Sequence, residues 1–385
     1  METPFIPVAK PFFDESEHQA LTRVLSSGWV TQGPEVAALE AEFKKECGAG
    51  FAVGVSSGTD ALVLALRAAG VKKGDRVVCP SHSFIATANS IVSLGAVPVF
   101  VDIEPNSPNV GLSAIQEALT LQPKAILLVH QTGMPCSVIA SLSDIPPSIP
   151  VIEDAACAFG SEIEIDGAWE PIGRPHGEFA CFSFHPRKLL VSGEGGMITG
   201  RTSESERFLK QVRQHGMSRS AYDRSNATQR YERETYQEFG LNHRMSDLNA
   251  ALAREQLKKI PAFVAERRRR VAIYQEELKN YHALWVDHEP KGVKTNWQSF
   301  SIQLETQAKA ESLQTELLEK RIATRPGVMC AHLEPVMKGR FEQIGDLNHS
   351  VHRSQTSLIL PLFHSMTDQQ QGRVIEVIQD WARSQ

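Results

Sequence analysis

FAVGVSSGTDALVLALRAAGVKKGDRVVCP, residues 51–80, decides the fold. FAVGVS is almost wholly apolar and reads as a buried strand, GTDALVLALRAAG has the apolar spacing of a helix, and DRVVCP is a second short apolar run. A strand, a helix and a strand in so short a span make a βαβ unit, whose strands lie parallel. The alternation continues with ATANSIVSLG as a helix and VPVFVDI as a strand, followed by AILLVH, VIEDA, FACFSF and GMITG. Runs such as AILLVH are apolar almost throughout, as strands covered on both faces are. The expected fold is therefore α/β, a large domain with a mostly parallel sheet covered by helices.

The character changes near residue 246. SDLNAALAREQLKKIPAFVAERRRRVAIYQEELKNY reads as a long helical pattern interrupted at Pro261. Its run Glu266 to Arg270 reads as a solvated helix face, with Val271, Ile273 and Tyr274 inward. SFSIQL, an amphipathic helix near SLQTELLEK and a last helix at TDQQQGRVIEVIQDWA complete a smaller α+β C-terminal domain. We divide the chain into a large domain over 1–250, including an N-terminal arm, and a small domain over 251–385.

The 385 residues exceed one compact domain, and 42% hydrophobic and 22% charged residues match ordinary globular proteins. A formal net charge of -5 gives no nucleic-acid or anionic-membrane footprint, although local basic patches can still serve a small phosphorylated substrate. The six cysteines are scattered, with no pair at zinc-ligand spacing, so no metal is expected and reduced thiols in a cytoplasm fit best. METPFIPVAKPFF lacks the pattern of a signal peptide, and no apolar run is long enough to span a bilayer.

Four segments carry chemistry. In FSFHPRKLLVSGEGGMITG a strand delivers Ser183, His185 and Lys188 into a glycine-rich turn. A lysine leaving a buried strand reaches into a cleft, and desolvation makes it a usable amine nucleophile. The same segment also reads as a surface loop. PVIEDAACAFG ends an apolar strand in Glu153-Asp154. A carboxylate there, beyond the carboxyl end of a parallel strand, holds the ring proton of pyridoxal phosphate or else caps the next helix. VGVSSGTDALVLAL puts Gly58 and Thr59 at a helix start, where backbone N–H groups suit a phosphate and where a plain N-cap also fits. It is neither GxxxxGK[ST] nor GxGxxG, which argues against a P-loop or an ordinary dinucleotide site. Phe84, in CPSHSFIATANS, stacks on a flat cofactor or packs in a core.

Together these segments suit pyridoxal phosphate. In order, VSSGTDAL, PSHSFIATAN, VIEDAA, SFHPRK, GEGG and LNHRMSDLNAAL resemble the sugar-aminotransferase (DegT–StrS) group of fold-type I pyridoxal-phosphate enzymes, over nearly the whole chain. The resemblance implies that Lys188 is the Schiff-base lysine, which later moves the proton, and that Asp154 pairs with the ring nitrogen. It implies that Phe84 covers one ring face and that Gly58, Thr59 and Ser183 hold the phosphate. Asn242 matches an asparagine that reaches the phosphate of the neighbouring subunit's cofactor, so a homodimer with shared sites is implied. Cys157 stands where such enzymes commonly carry Gln or His, and a thiol is a weak donor. His243 stands where an aromatic or small residue is expected.

Weaker substrate candidates are His215, Arg219 and Arg224 in a long polar stretch, Arg325 and His332 in TRPGVMCAHLEP, and Trp29, which walls the pocket or packs. The expected activity loads the cofactor from L-glutamate as pyridoxamine phosphate and passes the amine to a 3- or 4-keto sugar nucleotide. A keto-cyclitol acceptor also fits the family. Relatives with histidine in place of the lysine are dehydratases, and Lys188 favours transamination. A lyase and a pyridoxal-phosphate-binding regulatory protein without turnover are the alternatives.

Overall fold

The computed structural model of the chain describes residues 4–219 and 235–385. Its main sheet has eight strands. They are β1 (Phe51–Val55), β2 (Arg76–Pro80), β3 (Val97–Val101), β4 (Ala125–Val129), β5 (Val151–Asp154), β8 (Phe179–Ser183), β9 (Gly196–Gly200) and β14 (Glu342–Gln343). The order is β1-β9-β8-β5-β4-β2-β3-β14. Only β9 runs antiparallel to its neighbours. Two small antiparallel sheets join it. One combines β6 (Glu162–Ile165), β7 (Ala168–Pro171) and β11 (Val293–Lys294). The other combines β10 (Leu284–Val286), β12 (Ser301–Leu304), β13 (Arg325–Pro326) and β15 (Ser357–Ile359).

The central strands are buried on both faces. Along β4, Ile126 and Leu128 enter one core while Ala125 and Leu127 enter the other. Along β8, Ala180 and Phe182 alternate in the same way with Phe179 and Cys181. That division is what the period of two in a strand requires. On one face lie helix α2 (Pro34–Cys47) and the first half of the long helix Asp247–Leu278; on the other lies α3 (Gly58–Ala68).

The long helix continues through Pro261, where the sequence pattern suggested an interruption. An interior proline costs about 3 kcal/mol. Burial on both sides outweighs it: Ala250, Ala253, Leu257, Ile260 and Phe263 pack on the main sheet, and Val271, Tyr274 and Leu278 pack in a third core. The expected solvated face is also partly inward. Arg267 is buried, its Nη1 donating to the carbonyls of Trp297 and Gln298 at 3.0 and 3.1 Å. Arg270 is buried against Glu266, Asp368 and Gln371. Most of the acceptors that hold the Nη groups lie far away in sequence, Glu266 being the local one, while the Nε atoms of both arginines are buried without a hydrogen-bond partner among the described residues.

The third core joins the sheet of β10, β12, β13 and β15 to the helices Gln307–Glu319 and Asp368–Arg383. Ile6 belongs to this core as well. Its N–H donates to the carbonyl of Arg321, and its own carbonyl accepts from Ala323.

Candidate active site

Parallel strands place their carboxyl ends along one rim, and the loops leaving that rim enclose a cavity of about 490 Å³. Lys188, Asp154, Gly58, Thr59, Phe84, Cys157, Ser183 and Arg325, separate in sequence, all line it.

Asp154 ends β5 and is buried at the cavity floor. Its Oδ2 accepts from the Thr87 hydroxyl at 2.8 Å, and its Oδ1 accepts from the Ala156 N–H at 3.2 Å. Burial raises the carboxyl pKa, while the Thr87 bond and the charge of Lys188 pull the other way. Thr87 in turn meets the Ser83 hydroxyl at 2.7 Å, so a short chain of hydroxyls fixes the carboxylate. Lys188 follows β8, its N–H donating to the His185 carbonyl at 2.8 Å. The Nζ of Lys188 meets Cys157 Sγ at 3.0 Å. Thus Cys157 is not a core cysteine but borders the cavity as the neighbour of the Lys188 amine.

The start of α3 makes the second wall. Ser57 is its N-cap, accepting from the Asp60 N–H at 3.1 Å. The first-turn N–H groups of a helix and its dipole suit an anion. Gly58 lies so near β8 that a Cβ on it would stand 2.6 Å from the Cβ of Ser183. Only glycine lets the helix start close up on the serine. His243 pairs with Asp60 at 3.0 Å behind this turn; burial pushes the Asp60 carboxyl pKa up, and the bonds from His243, Ser56 and Ser57 outweigh it and leave it below its ordinary value. That is its structural role, where the sequence suggested an aromatic or small residue.

The Phe84 ring borders the cavity and is 62% exposed, so it is not a core phenylalanine. A buried carboxylate, a lysine amine, a helix start flush with a serine, and a ring at the edge match the ring nitrogen, aldehyde, phosphate and π-face of pyridoxal phosphate. The residues present fit that group.

Five residues singled out from sequence lie outside the cavity lining. Trp29 folds back on its own turn, its indole N–H donating to the Gln32 carbonyl at 3.1 Å against Gly33. His215 is exposed, and its backbone N–H donates to the Leu241 carbonyl. Arg219 borders a separate groove beside Gln32 and Gly33. His332 is tied to the Ser81 hydroxyl and packs near Phe100 and Phe341. Asn242 is exposed, bridging in β fashion to Gln214. Arg224 lies outside the described residues.

Several lining residues escaped the sequence reading. Thr87 sits in the same short segment as Phe84, but nothing local tells it from a helix-start threonine. His130, Arg187, Gln298 and Ser299 also line the cavity. Gln298 donates to the Arg187 carbonyl at 2.6 Å, and its Oε1 is buried with no partner among the described residues.

Comparison with known proteins places the whole chain in a family. Residues 11–379 match the model of the DegT/DnrJ/EryC1/StrS aminotransferase family. The chain is 33% identical to the spore coat polysaccharide biosynthesis protein SpsC of Bacillus subtilis, over 98% of this chain and 97% of that one. The crystal structure of the aminotransferase TlmJ from Streptoalloteichus hindustanus superposes with a TM-score of 0.89 at 28% identity, covering 98% and 99% of the two chains. DesV of S. venezuelae, solved in complex with a ketimine intermediate, gives 0.87 at 29% identity, covering 99% of each. With its fold and nearly its whole length in agreement, the chain belongs to the DegT/DnrJ/EryC1/StrS aminotransferase family.

Proposed function

We propose that this chain transfers the amino group of L-glutamate to a keto-sugar nucleotide with a 3- or 4-keto deoxysugar, as a cytoplasmic homodimer with shared active sites. The observation that carries the reading is the convergence of Lys188 and Asp154 on one cavity with the start of α3 and Ser183. The likeness to a spore coat polysaccharide biosynthesis protein supports a sugar acceptor.

Pyridoxal phosphate, when bound, supplies an aldehyde that carries the amine and a ring that takes up the electron pair left by a departing proton. Asp154 keeps a proton on the ring nitrogen. Lys188 supplies the amine that anchors the cofactor, then carries a proton at Nζ between the reacting carbons. The α3 N–H groups and Ser183 hold the phosphate, and Phe84 covers one ring face. Cys157 receives Lys188 Nζ while the amine is free. Asn242 is exposed, as are the nearby aromatic side chains of Tyr236 and Phe239, which leaves them available to the second subunit of the proposed homodimer.

The test is the absorbance spectrum of the purified protein before and after L-glutamate. A visible cofactor band that glutamate converts to the near-ultraviolet pyridoxamine form is expected. No uptake of pyridoxal phosphate would sink the reading; a stable band unmoved by glutamate would point to another donor, a lyase or a protein that only binds the cofactor.

Gly58→Ala tests the phosphate cradle separately. The added methyl crowds Ser183, and overpacking of this kind costs about 1–3 kcal/mol. We expect cofactor affinity to fall roughly tenfold or more while the fold persists. Titration of the apo-protein with pyridoxal phosphate reads it. Unchanged affinity would place the phosphate elsewhere.

A further inference from the structure

Arg187 and Arg325 approach the cavity from different sheets. Arg187 directly precedes Lys188 on the segment leaving β8, and Arg325 starts β13 in the small antiparallel sheet. Each rests on fixed backbone: Gln298 holds the Arg187 carbonyl, and Arg325 registers opposite Ile359 on β15. Elsewhere arginines meet carboxylates, as Arg254 does with Glu35 and Glu42 and Arg353 with Asp287. Among the described residues neither Arg187 nor Arg325 has an ion pair. The cavity's two acidic lining residues are Asp154, held on the floor by Thr87, and Glu194, exposed on the rim. Burial lowers the pKa of the Arg325 guanidinium, and the charge of Arg187 lowers it further. Two like charges at one concavity, neither paired with a carboxylate among the described residues, repel each other to the extent that solvent leaves unscreened, and an arriving anion relieves that.

The proposed reaction sends two unlike substrates through one pocket in turn. What they share, away from the reacting carbon, is negative charge: a carboxylate on the donor and phosphate groups on the acceptor. A guanidinium fork matches either group bidentately. We infer that Arg187 and Arg325 form one anion subsite that serves both half-reactions, gripping the donor's carboxylate and then the acceptor's phosphate groups. This rests on the donor and acceptor classes proposed above. It adds to them a single recognition element, assembled only where the small sheet meets the main one.

The experiment uses the holoenzyme and the variants Arg187→Ala, Arg325→Ala and Arg187→Lys. One reading is the glutamate concentration that converts half of the visible band; the other is the pyrophosphate concentration that halves this conversion. Each alanine variant should raise both by about tenfold to a hundredfold, the size of one lost charge-assisted contact. Lysine at 187, which keeps the charge, should restore part of both, and the cofactor band itself should be unaltered. Unchanged constants in the alanine variants overturn the inference. So does a shift in one constant alone, which would give the arginines to a single substrate, or a wild type in which pyrophosphate does not compete. A wild-type band that glutamate does not move overturns the donor reading instead, and is told apart because no substitution is involved. Calorimetric binding of pyrophosphate to the same variants then decides the subsite: weakening in both alanine variants supports it, and equal binding overturns it.

Discussion

Lys188→Ala should lose on the order of 10⁴-fold in turnover, the upper range for removing a positioned acid–base group, before its loss as a nucleophile is counted. No other lysine lines the cavity, so no second amine among the described residues can replace it. Its Nζ rests against Cys157, whose carbonyl is pinned by Asn296 Nδ2 at 2.9 Å, so the amine is held where the cavity needs it. Two measurements check the expectation. Borohydride should fix the cofactor covalently to the wild type and not to the variant, and amine transfer should vanish. Arginine at 188 should not rescue, because a guanidinium stays protonated and is no nucleophile. A folded variant with wild-type turnover would place the reactive amine elsewhere.

The largest stability effect belongs to Glu153, the neighbour of Asp154 on β5 that plays no part in lining the cavity. Its carboxylate is fully buried. Oε1 accepts from the N–H groups of His176 and Gly177 at 2.8 and 2.9 Å, and Oε2 lies 3.1 Å from His130 Nε2. His130 Nδ1 accepts from the Cys136 N–H at 3.0 Å, which leaves Nε2 as the donor. Burial pushes the Glu153 pKa up, and the partners at His130 and His176 outweigh it, holding it down at about 2. Glu153→Ala would strand three donors, that of His130 fully buried and those of His176 and Gly177 half-buried, and cost roughly 3–5 kcal/mol. Thermal unfolding at neutral pH should show it as a fall on the order of 10 °C. The pH dependence has a definite sign. A depressed carboxyl stabilises the fold fully above its ordinary value of 4.5, and that contribution drains away as pH falls towards about 2. The gap between wild type and variant should therefore close over that acid range. A gap that persists unchanged would mean the carboxylate charge is not what stabilises the network.

The parts of this molecule that were legible in sequence are those encoded locally. Strands such as Ala125–Val129 are apolar throughout because both faces are covered, and that composition is visible without any partner. Lys188, Asp154, Gly58, Thr59 and Ser183 stood out in sequence because each ends or follows such a strand, and for the same reason the structure brings them to one cavity. What stayed hidden depends on pairs far apart in the chain. Thr87 matters only through Asp154, and His130 finds Glu153 across a loop. Pro261 continues a helix because two separate cores grip its flanks, which no local propensity records. Trp29 and His332 were polar-tipped aromatics with plausible spacing, yet each spends its hydrogen bond on an internal acceptor or donor. Arg187 went unnoticed because its neighbour Lys188 absorbed the segment.

The seating of Ile6 has a consequence for the newborn chain. This residue is made long before the backbone groups it pairs with, on Arg321 and Ala323, and before most of the core it fills. During synthesis the leading segment therefore has no native place to settle, while the parallel sheet behind it can already assemble from neighbours in sequence. An early-made apolar stretch that must wait is exposed to wrong partners, and Phe5, Phe12 and Phe13 beside it lengthen that exposure. Slow translation of the stretch between Ile6 and Ala323 would prolong the wait, and a chaperone that shields short aromatic segments would shorten its harm.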